Sequence, residues 1–144
     1  MDGNIVQPYI TEFVRNLTPS HHGILEELEL FAKENHVPIV SPEVGQLLST
    51  VVKTKRPKRI LEVGTAIGYS ALLMSSVAPE AEIVTLELRE EWADIAEENF
   101  RKAGKDKQIK VIRGNAVETL KTIEGTFDFI FLDAAKGQYL EFYK

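Results

Sequence analysis

Acidic and amide side chains lie at the ends of four short apolar segments of this 144-residue chain, at positions Glu62, Glu87, Asn115 and Asp133. Glu62 stands directly ahead of a turn that contains two glycines, so the backbone there can approach a ligand closely. A carboxylate at this place would repel a diphosphate, whereas it suits a cationic amino group or a sulfonium. The first segment end therefore indicates a ligand that carries positive charge.

The glycine turn differs from the dinucleotide-binding fingerprint. Gly64 and Gly68 have three residues between them, whereas the glycines of G-x-G-x-x-G lie closer together. Glu87 ends the second apolar segment, 23 positions after Gly64, and an acidic residue there can accept hydrogen bonds from both ribose hydroxyls of an adenosine. The alternative is an ordinary surface glutamate, since Glu82 and Glu90 lie nearby. Its place at the end of an apolar strand favours the ribose role.

The third and fourth segment ends suit an aromatic base and a catalytic centre. Asn115 can cap the next helix or bond an adenine edge, and Ala116 leaves room for a ring. Asp133 follows the last segment directly, and Lys136 lies three residues on. Alone, these two would be interpreted as a helix cap and a solvated lysine. Beside the other segment ends they favour a catalytic centre.

Alternating strands and helices must position these residues. The hydrophobic spacing predicts strands at 59–63, 82–88, 109–113 and 127–132, and helices between them at 70–77, 90–103 and 116–123. Three further helices precede them, at 5–17, at 24–35 and from Pro42 to about Lys53. This alternation is typical of an α/β fold with a parallel sheet, in which ligands bind at the carboxyl ends of the strands. We expect a single domain, with a helical part over 1–56 and four β/α units over 57–144.

The composition indicates a globular protein and excludes several kinds of site. Apolar residues make up 44% of the chain, and no apolar run approaches the ~20 residues that cross a bilayer. The absence of cysteine excludes disulfides and cysteine nucleophiles, and makes the cytoplasm the expected compartment. The net charge of −5 argues against bulk nucleic-acid affinity. The five cations within 53–59 are interpreted as a solvated helix end, with a phosphate-contacting surface as the alternative.

The segments LEVGTAIGYSALLM, GNA and FLDAAKGQY, together with the strand that ends at Glu87, resemble the catechol and caffeoyl-CoA type of O-methyltransferase. The resemblance extends from about Val37 to Lys144, and it is strongest toward the bacterial tRNA 5-hydroxyuridine methyltransferases. It implies a Rossmann-like methyltransferase fold and methyl transfer from S-adenosylmethionine (SAM) to a hydroxyl. The preferred acceptor is 5-hydroxyuridine in tRNA, giving 5-methoxyuridine, and a catechol-like small molecule is the alternative.

The resemblance also implies a role for each site residue. The cofactor contacts, from the methionine tail of SAM to its adenine, would be Val40, Glu62, Gly64, Ser70, Glu87, Asn115 and Ala116. Asp133 would border the cofactor and be the first ligand of a divalent cation, with Mg²⁺ the expected ion. Lys136 would be the general base. A homodimer is implied as well, for which the N-terminal helices would be the interface if they do more than cover the sheet.

One part of the family pattern is missing from the sequence. The family's other two metal ligands are an Asp-Asn pair at the end of a fifth strand, which this chain does not contain. We therefore expect a C-terminally truncated chain that lacks the last strands and binds cofactor weakly without turning over. Residues 127–132 would then form an exposed apolar edge strand, which is prone to aggregation.

Two other functions stay open. A nicotinamide-dependent oxidoreductase also uses a glycine turn and a ribose-binding acid, although Glu62 and the wider glycine spacing argue against it. A non-catalytic cofactor-binding module is the second alternative. His21, His22 and His36 lie away from the four segment ends, and we assign them no chemistry.

Overall fold

A parallel β-sheet forms the second half of the chain in this computed structural model, which describes residues 6–134. Its strands are β1 (Arg59–Val63), β2 (Glu82–Glu87), β3 (Ile109–Arg113) and β4 (Phe129–Leu132), in the spatial order β3-β2-β1-β4. Each neighbouring pair is parallel, and Leu61 of β1 lies opposite Val84 of β2 and Ile130 of β4. The predicted α/β fold with a parallel sheet is confirmed.

The helices within residues 6–134 are α1 (Pro8–Leu17), α2 (Ile24–Asn35), α3 (Pro42–Lys55), α4 (Tyr69–Val77), α5 (Glu90–Lys102) and α6 (Ala116–Thr119). The predicted bounds of α2, β1 and β3 are those of the structure, and most of the others differ by one or two residues. Prolines occupy the first position of α1 and α3. Proline is favoured at a helix start because the N–H that it lacks would have no partner within the helix there. None of these helices is long and apolar enough to cross a membrane.

The helix after β3 is shorter than predicted. Its α-helical part ends at Thr119, and a 3₁₀ turn covers Leu120–Thr122 where the prediction had one helix to Ile123. The hydroxyl of Thr119 donates to the carbonyl of Asn115, and that of Thr122 donates to the carbonyl of Thr119. Threonine hydroxyls that bond nearby carbonyls compete with regular helical geometry, which accounts for the tighter final turn.

The strand β4 begins two residues later than predicted. The two residues ahead of it, Phe127 and Asp128, contact Lys58 and Arg59 at the start of β1. The guanidinium of Arg59 lies 4.5 Å from the centroid of the Phe127 ring. The carboxylate of Asp128 accepts the backbone N–H groups of Lys58 (2.8 Å) and Arg59 (3.0 Å), which lowers the pKa of Asp128. These contacts join the amino ends of β1 and β4, at the edge of the sheet opposite to the strand ends that carry the predicted site.

Successive residues of each strand face different layers of the fold. On one face Ile60, Ile83 and Ile109 pack into a core with the buried side of α2–α5. On the other face Leu61 and Val84 pack toward α6. Glu62 lies two positions after Ile60 and therefore faces the same side, so its carboxyl group lies beneath α4, where Ser70 donates to it.

The strand β4 lies at one side of the sheet formed by the described residues, and it is only partly buried. Its Ile130 is 56% exposed, although the two central strands, β1 and β2, are mostly buried. The expected apolar exposure at this strand is therefore present within residues 6–134, while the aggregation inferred from it stays a prediction.

Candidate functional site

The carboxyl ends of the strands open into a pocket of about 550 Å³. The predicted site residues that line it are Val40, Gly64, Ser70, Glu87, Asn115, Ala116 and Asp133. Glu62 is not among its lining residues, and Lys136 lies outside the described residues. The fold thus brings together residues that follow all four strands and a residue from the segment ahead of α3.

Gly64 allows the ends of β1 and β4 to approach each other. Its φ is +103°, and a Cβ atom there would lie 2.5 Å from the carbonyl oxygen of Asp133. The N–H of Asp133 donates to the carbonyl of Val63 (2.9 Å), and the N–H of Gly64 donates to the carbonyl of Leu86 (3.0 Å). Backbone from three strands therefore meets at Gly64, and a side chain there would force them apart.

Glu87 is fixed by the backbone before any ligand arrives. One carboxylate oxygen accepts the N–H of Ala66 (2.8 Å), and the other accepts the N–H of Arg89 (2.9 Å). A carboxylate offers about four acceptor positions, so two of them stay available to hydroxyl groups in the pocket. The predicted ribose role of Glu87 fits this position, and its contact with the glycine loop (Gly64–Gly68) is a feature that the sequence alone did not indicate.

Glu62 is fully buried beneath the pocket. The hydroxyl of Ser70 donates to one carboxylate oxygen (2.5 Å), and the hydroxyl of Thr85 donates to the other (2.6 Å). Burial raises the pKa of Glu62 to about 7, against the lowering effect of these two hydrogen bonds, and the nearby Asp133 and Glu87 raise it further. Ser70 lines the pocket, so Glu62 reaches the site through this hydroxyl, and its predicted contact with an amino group stays a prediction.

Asn115 caps α6 as expected from the sequence. Its side-chain oxygen accepts the N–H of Val117 (3.0 Å), and it stands between Gly114, whose φ is +131°, and Ala116. All three residues line the pocket. The turn after β3 is therefore held with its backbone and two small side chains toward the pocket, as a flat ring would require.

Asp133 stands at the exposed side of the pocket, directly after β4. Partial desolvation of its carboxyl group raises its pKa above the ordinary value. Within residues 6–134 no group of three or more acidic or histidine side chains is arranged to hold a metal ion. The described part of the chain contains Asp133, whose role as a metal ligand stays a prediction, and it does not by itself fit a divalent cation.

Two pocket walls were missed by the sequence analysis. Tyr69 lines the pocket, and its hydroxyl donates to Glu29 of α2 (2.6 Å), which also bonds Nδ1 of His21 (2.7 Å). Leu88 and Arg89 form another part of the lining directly after Glu87. Their adjacency to Ser70 and Glu87 was the available signal. His21 contacts Tyr69 directly, with its Nδ1 3.4 Å from the Tyr69 hydroxyl.

The basic cluster at residues 53–59 lies at the other end of the sheet from the pocket, since it runs from the end of α3 into the start of β1. Arg59 is engaged internally: it pairs with Glu82 (3.1 Å) and donates to the carbonyls of Glu124 and Thr126. This favours the structural interpretation for that residue. A phosphate-contacting role for the other cations stays a prediction.

Comparison with known proteins decides the family of the chain. A protein family described as “O-methyltransferase” matches residues 15–144. The chain belongs to the O-methyltransferase family. It is 42% identical over 101 residues to an O-methyltransferase of Aspergillus hancockii (69% of this chain, 40% of that protein). It is also 34% identical over 110 residues to a catechol O-methyltransferase of Niastella koreensis (73% of this chain, 50% of that protein).

A solved structure shares the fold of this O-methyltransferase-family chain. The methyltransferase of Podospora anserina, solved with S-adenosylhomocysteine (SAH) bound, has a TM-score of 0.87 and 31% identity over 98% of this chain and 65% of that one. The chain spans about half the length of the curated relatives it matches. The predicted resemblance to the catechol and caffeoyl-CoA type is confirmed, whereas the closer relation to tRNA enzymes and the truncation stay predictions.

The raised pKa of Glu62 predicts a pH dependence of stability. Between the ordinary pKa of 4.5 and the folded value of about 7, the folded chain holds a proton that the unfolded chain has released, so the free energy of unfolding falls as pH rises through this interval. Glu62→Gln carries no such proton. We expect the variant to gain stability relative to the wild type between pH 5 and pH 8, by up to a few kcal/mol, measured by urea unfolding.

Glu80→Gln is the matched control. Glu80 is exposed at the turn ahead of β2, so this substitution removes the same kind of carboxyl group from a position that is not buried. Its stability should follow the wild type at both pH values. An equal difference between Glu62→Gln and wild type at pH 5 and pH 8 would show that the folded pKa of Glu62 is not raised.

Proposed function

We propose that this chain is the cofactor-binding part of a SAM-dependent O-methyltransferase of the catechol and caffeoyl-CoA type. The observation that carries the proposal is the convergence of Glu87, Asn115 and the glycine loop on one pocket at the carboxyl ends of the strands. The family match supports the same reaction, and the Podospora relative was solved with SAH.

The lining of the pocket fits an adenosine attached to a short polar tail. Glu87 has acceptor positions left for the two ribose hydroxyls. Asn115 and Ala116 would border the adenine, and Ser70 and the backbone of Val40 would border the methionine tail. Each of these roles is part of the proposal, and each uses a group that already has a defined position in the fold.

The charges around the pocket favour a cationic ligand over a diphosphate. Glu87 and Asp133 lie close enough to Glu62 to raise its pKa, and a diphosphate would be repelled by these two carboxylates. SAM carries a sulfonium and an ammonium group, which this field attracts. The same argument counts against the nicotinamide-dependent alternative.

Catalysis in this proposal is mainly positioning. Methyl transfer from a sulfonium is an in-line displacement in which the C–S bond breaks as a C–O bond forms, and the acceptor hydroxyl gives up its proton. Lys136, the expected proton acceptor, lies outside the described residues. Asp133 would be the first ligand of Mg²⁺, which would orient the acceptor, but no step is assigned to a metal because the described residues do not complete its site.

For the acceptor, we propose a catechol-like aromatic hydroxyl. Relatives at 34% and 35% identity are named catechol O-methyltransferases, and the cationic cluster at residues 53–59 lies away from the pocket mouth. The 5-hydroxyuridine of tRNA, preferred from the sequence resemblance, is the alternative. A cytoplasmic location, expected from the lack of cysteine, stays a prediction.

Cofactor binding is tested by calorimetry of this chain with SAH. We expect saturable binding by the wild type and a Kd increased at least about tenfold in Glu87→Gln, because a charged acceptor of hydroxyl and backbone hydrogen bonds is lost. Glu80→Gln, at an exposed position ahead of β2, should bind as the wild type does. Binding of NADH without binding of SAH would establish the oxidoreductase instead.

The acceptor is tested with the protein encoded by the complete gene, [methyl-³H]SAM and Mg²⁺. We expect label in catechol and in caffeoyl-type diols, and none in tRNA that lacks 5-methoxyuridine, because the cationic cluster at residues 53–59 lies at the other end of the sheet from the pocket. Labelled tRNA with unlabelled catechols would reverse the order of the two acceptors.

We also propose that α1 forms a homodimer contact. All of its residues are at least partly exposed, and Tyr9, Phe13 and Leu17, which share one helical face, are 69%, 63% and 68% exposed. An apolar stripe of this size on a helix held by an Arg15–Glu43 ion pair is typical of an interface, and a two-fold axis would pair the stripe with itself.

Light scattering after size exclusion tests the dimer. We expect the wild type to be dimeric at micromolar concentration and Phe13→Lys to shift it to monomer, because the lysine charge would be buried in the contact. Glu80→Lys adds the same side chain at an exposed position outside α1 and should leave the dimer intact. A monomeric wild type at 100 micromolar, on the order of the highest concentration needed for a specific dimer, would contradict the proposal.

A further inference from the structure

Asn99 is a buried amide on a helix whose other polar residues are mostly exposed. It is 6% exposed, and it lies on the face of α5 that also buries Ala96 and Phe100. Its Nδ2 donates to the backbone carbonyl of Ile67, in the glycine loop, at 2.9 Å. Burial of an amide in an apolar layer is unfavourable unless it is hydrogen-bonded, so the position of Asn99 depends on this one loop carbonyl.

The Ile67 carbonyl needs a partner from outside the helix that follows it. The first helical hydrogen bond at the start of α4 runs from the N–H of Leu72 to the carbonyl of Gly68 (3.0 Å), and not to that of Ile67. Ile67 lies one residue ahead of that bond, is fully buried and is shielded from water. Asn99 supplies the donor that satisfies this carbonyl.

The same loop contains a strained residue next to Ile67. Ala66 has φ of +45°, a left-handed conformation that costs an alanine roughly 1 kcal/mol or more. Its N–H donates to Glu87 (2.8 Å). Glu87 thus holds the peptide group that enters Ala66, while Asn99 holds the one that leaves Ile67, and the two anchors come from different elements of the fold.

Phe100 adds a steric contact beside the hydrogen bond. Gly68 has φ of +84°, and a Cβ atom there would lie 2.5 Å from the Phe100 ring. Two neighbouring residues of α5 therefore hold the loop: the ring of Phe100 packs against Gly68, and the amide of Asn99 donates to Ile67. Strained loop conformations persist only where their surroundings determine them in this way.

We infer that Asn99 is a positioning residue for cofactor binding, which holds the glycine loop so that the Ala66 N–H meets Glu87. It does not line the pocket, and it acts through Ile67 and Ala66 on the carboxylate assigned to the ribose. The inference rests on the proposed function, because it names a residue that prepares the same site.

The test compares Asn99→Leu with Gln108→Leu. Both variants replace an amide by an apolar side chain of similar size. Gln108 donates its Nε2 to the carbonyls of Ala78 (2.9 Å) and Ala81 (3.0 Å), at the amino ends of the strands and away from the pocket. Both variants should lower the melting temperature, because each removes a side-chain amide that donates to backbone carbonyls.

Only Asn99→Leu should weaken cofactor binding. We expect its Kd for SAH, by calorimetry, to rise about tenfold, and that of Gln108→Leu to stay within about twofold of the wild type. In a Glu87→Gln background the effect of Asn99→Leu should largely disappear, because the two residues act on one loop conformation. An unchanged Kd in Asn99→Leu, with both melting temperatures lowered, would overturn the inference.

Hydrogen exchange of the ligand-free chain separates this inference from the proposed function. The amides of residues 65–68 should exchange faster in Asn99→Leu and at the wild-type rate in Gln108→Leu. A wild type that binds no SAH would overturn the proposed function, and the exchange rates would still decide whether Asn99 positions the loop. If Asn99→Leu does not fold, Asn99→Ala is measured in the same way, since alanine has no donor for the Ile67 carbonyl and introduces no buried charge.

Discussion

The contact of backbone against backbone at the glycine loop is the constraint on which the rest of the site depends. Gly64 lies where the ends of β1, β2 and β4 meet, and a Cβ atom there would reach the Asp133 carbonyl at 2.5 Å. Only this close approach brings the residues after three parallel strands to one pocket. Gly68 imposes a similar condition on the other side of the loop, where α5 packs. Neither glycine contributes a functional group; both determine where such groups can lie.

The site also contains a buried carboxyl group that lowers the stability of the fold. Glu62 is fully buried, and within residues 6–134 its carboxylate is held by two hydroxyls and not by a cation. Burial and the neighbouring carboxylates raise its pKa to about 7. A neutral or apolar residue would stabilise this layer better. Perturbed carboxyl groups of this kind cluster at functional sites, where a charged ligand can offset their cost.

The two ends of the sheet have different tasks. At the amino ends, Arg59, Phe127 and Asp128 join β1 to β4 through a cation–π contact and two backbone hydrogen bonds. At the carboxyl ends, the strands stop at residues that face the pocket. This division is general in open parallel sheets, because the crossover helices begin at the carboxyl ends and leave a crevice there. It also places the cationic cluster at 53–59 on the structural end of the sheet and not beside the pocket.

The sequence by itself determined the order of strands and helices along the chain, the parallel sheet and most of the site. Hydrophobic periodicity and strand ends are local features, so they are visible in the sequence without the fold. Glu87, Asn115 and Asp133 were found in this way, and the pocket contains all three. Only the tertiary structure decided that Glu62 lies beneath the pocket, that Glu87 bonds the loop at Ala66, and that Asn99 supports Ile67 from α5. These contacts join residues 21 to 32 positions apart, and no local pattern distinguishes Asn99 from the other polar residues of its helix. They depend on how helices pack on a sheet, which the chain sets only when it is folded.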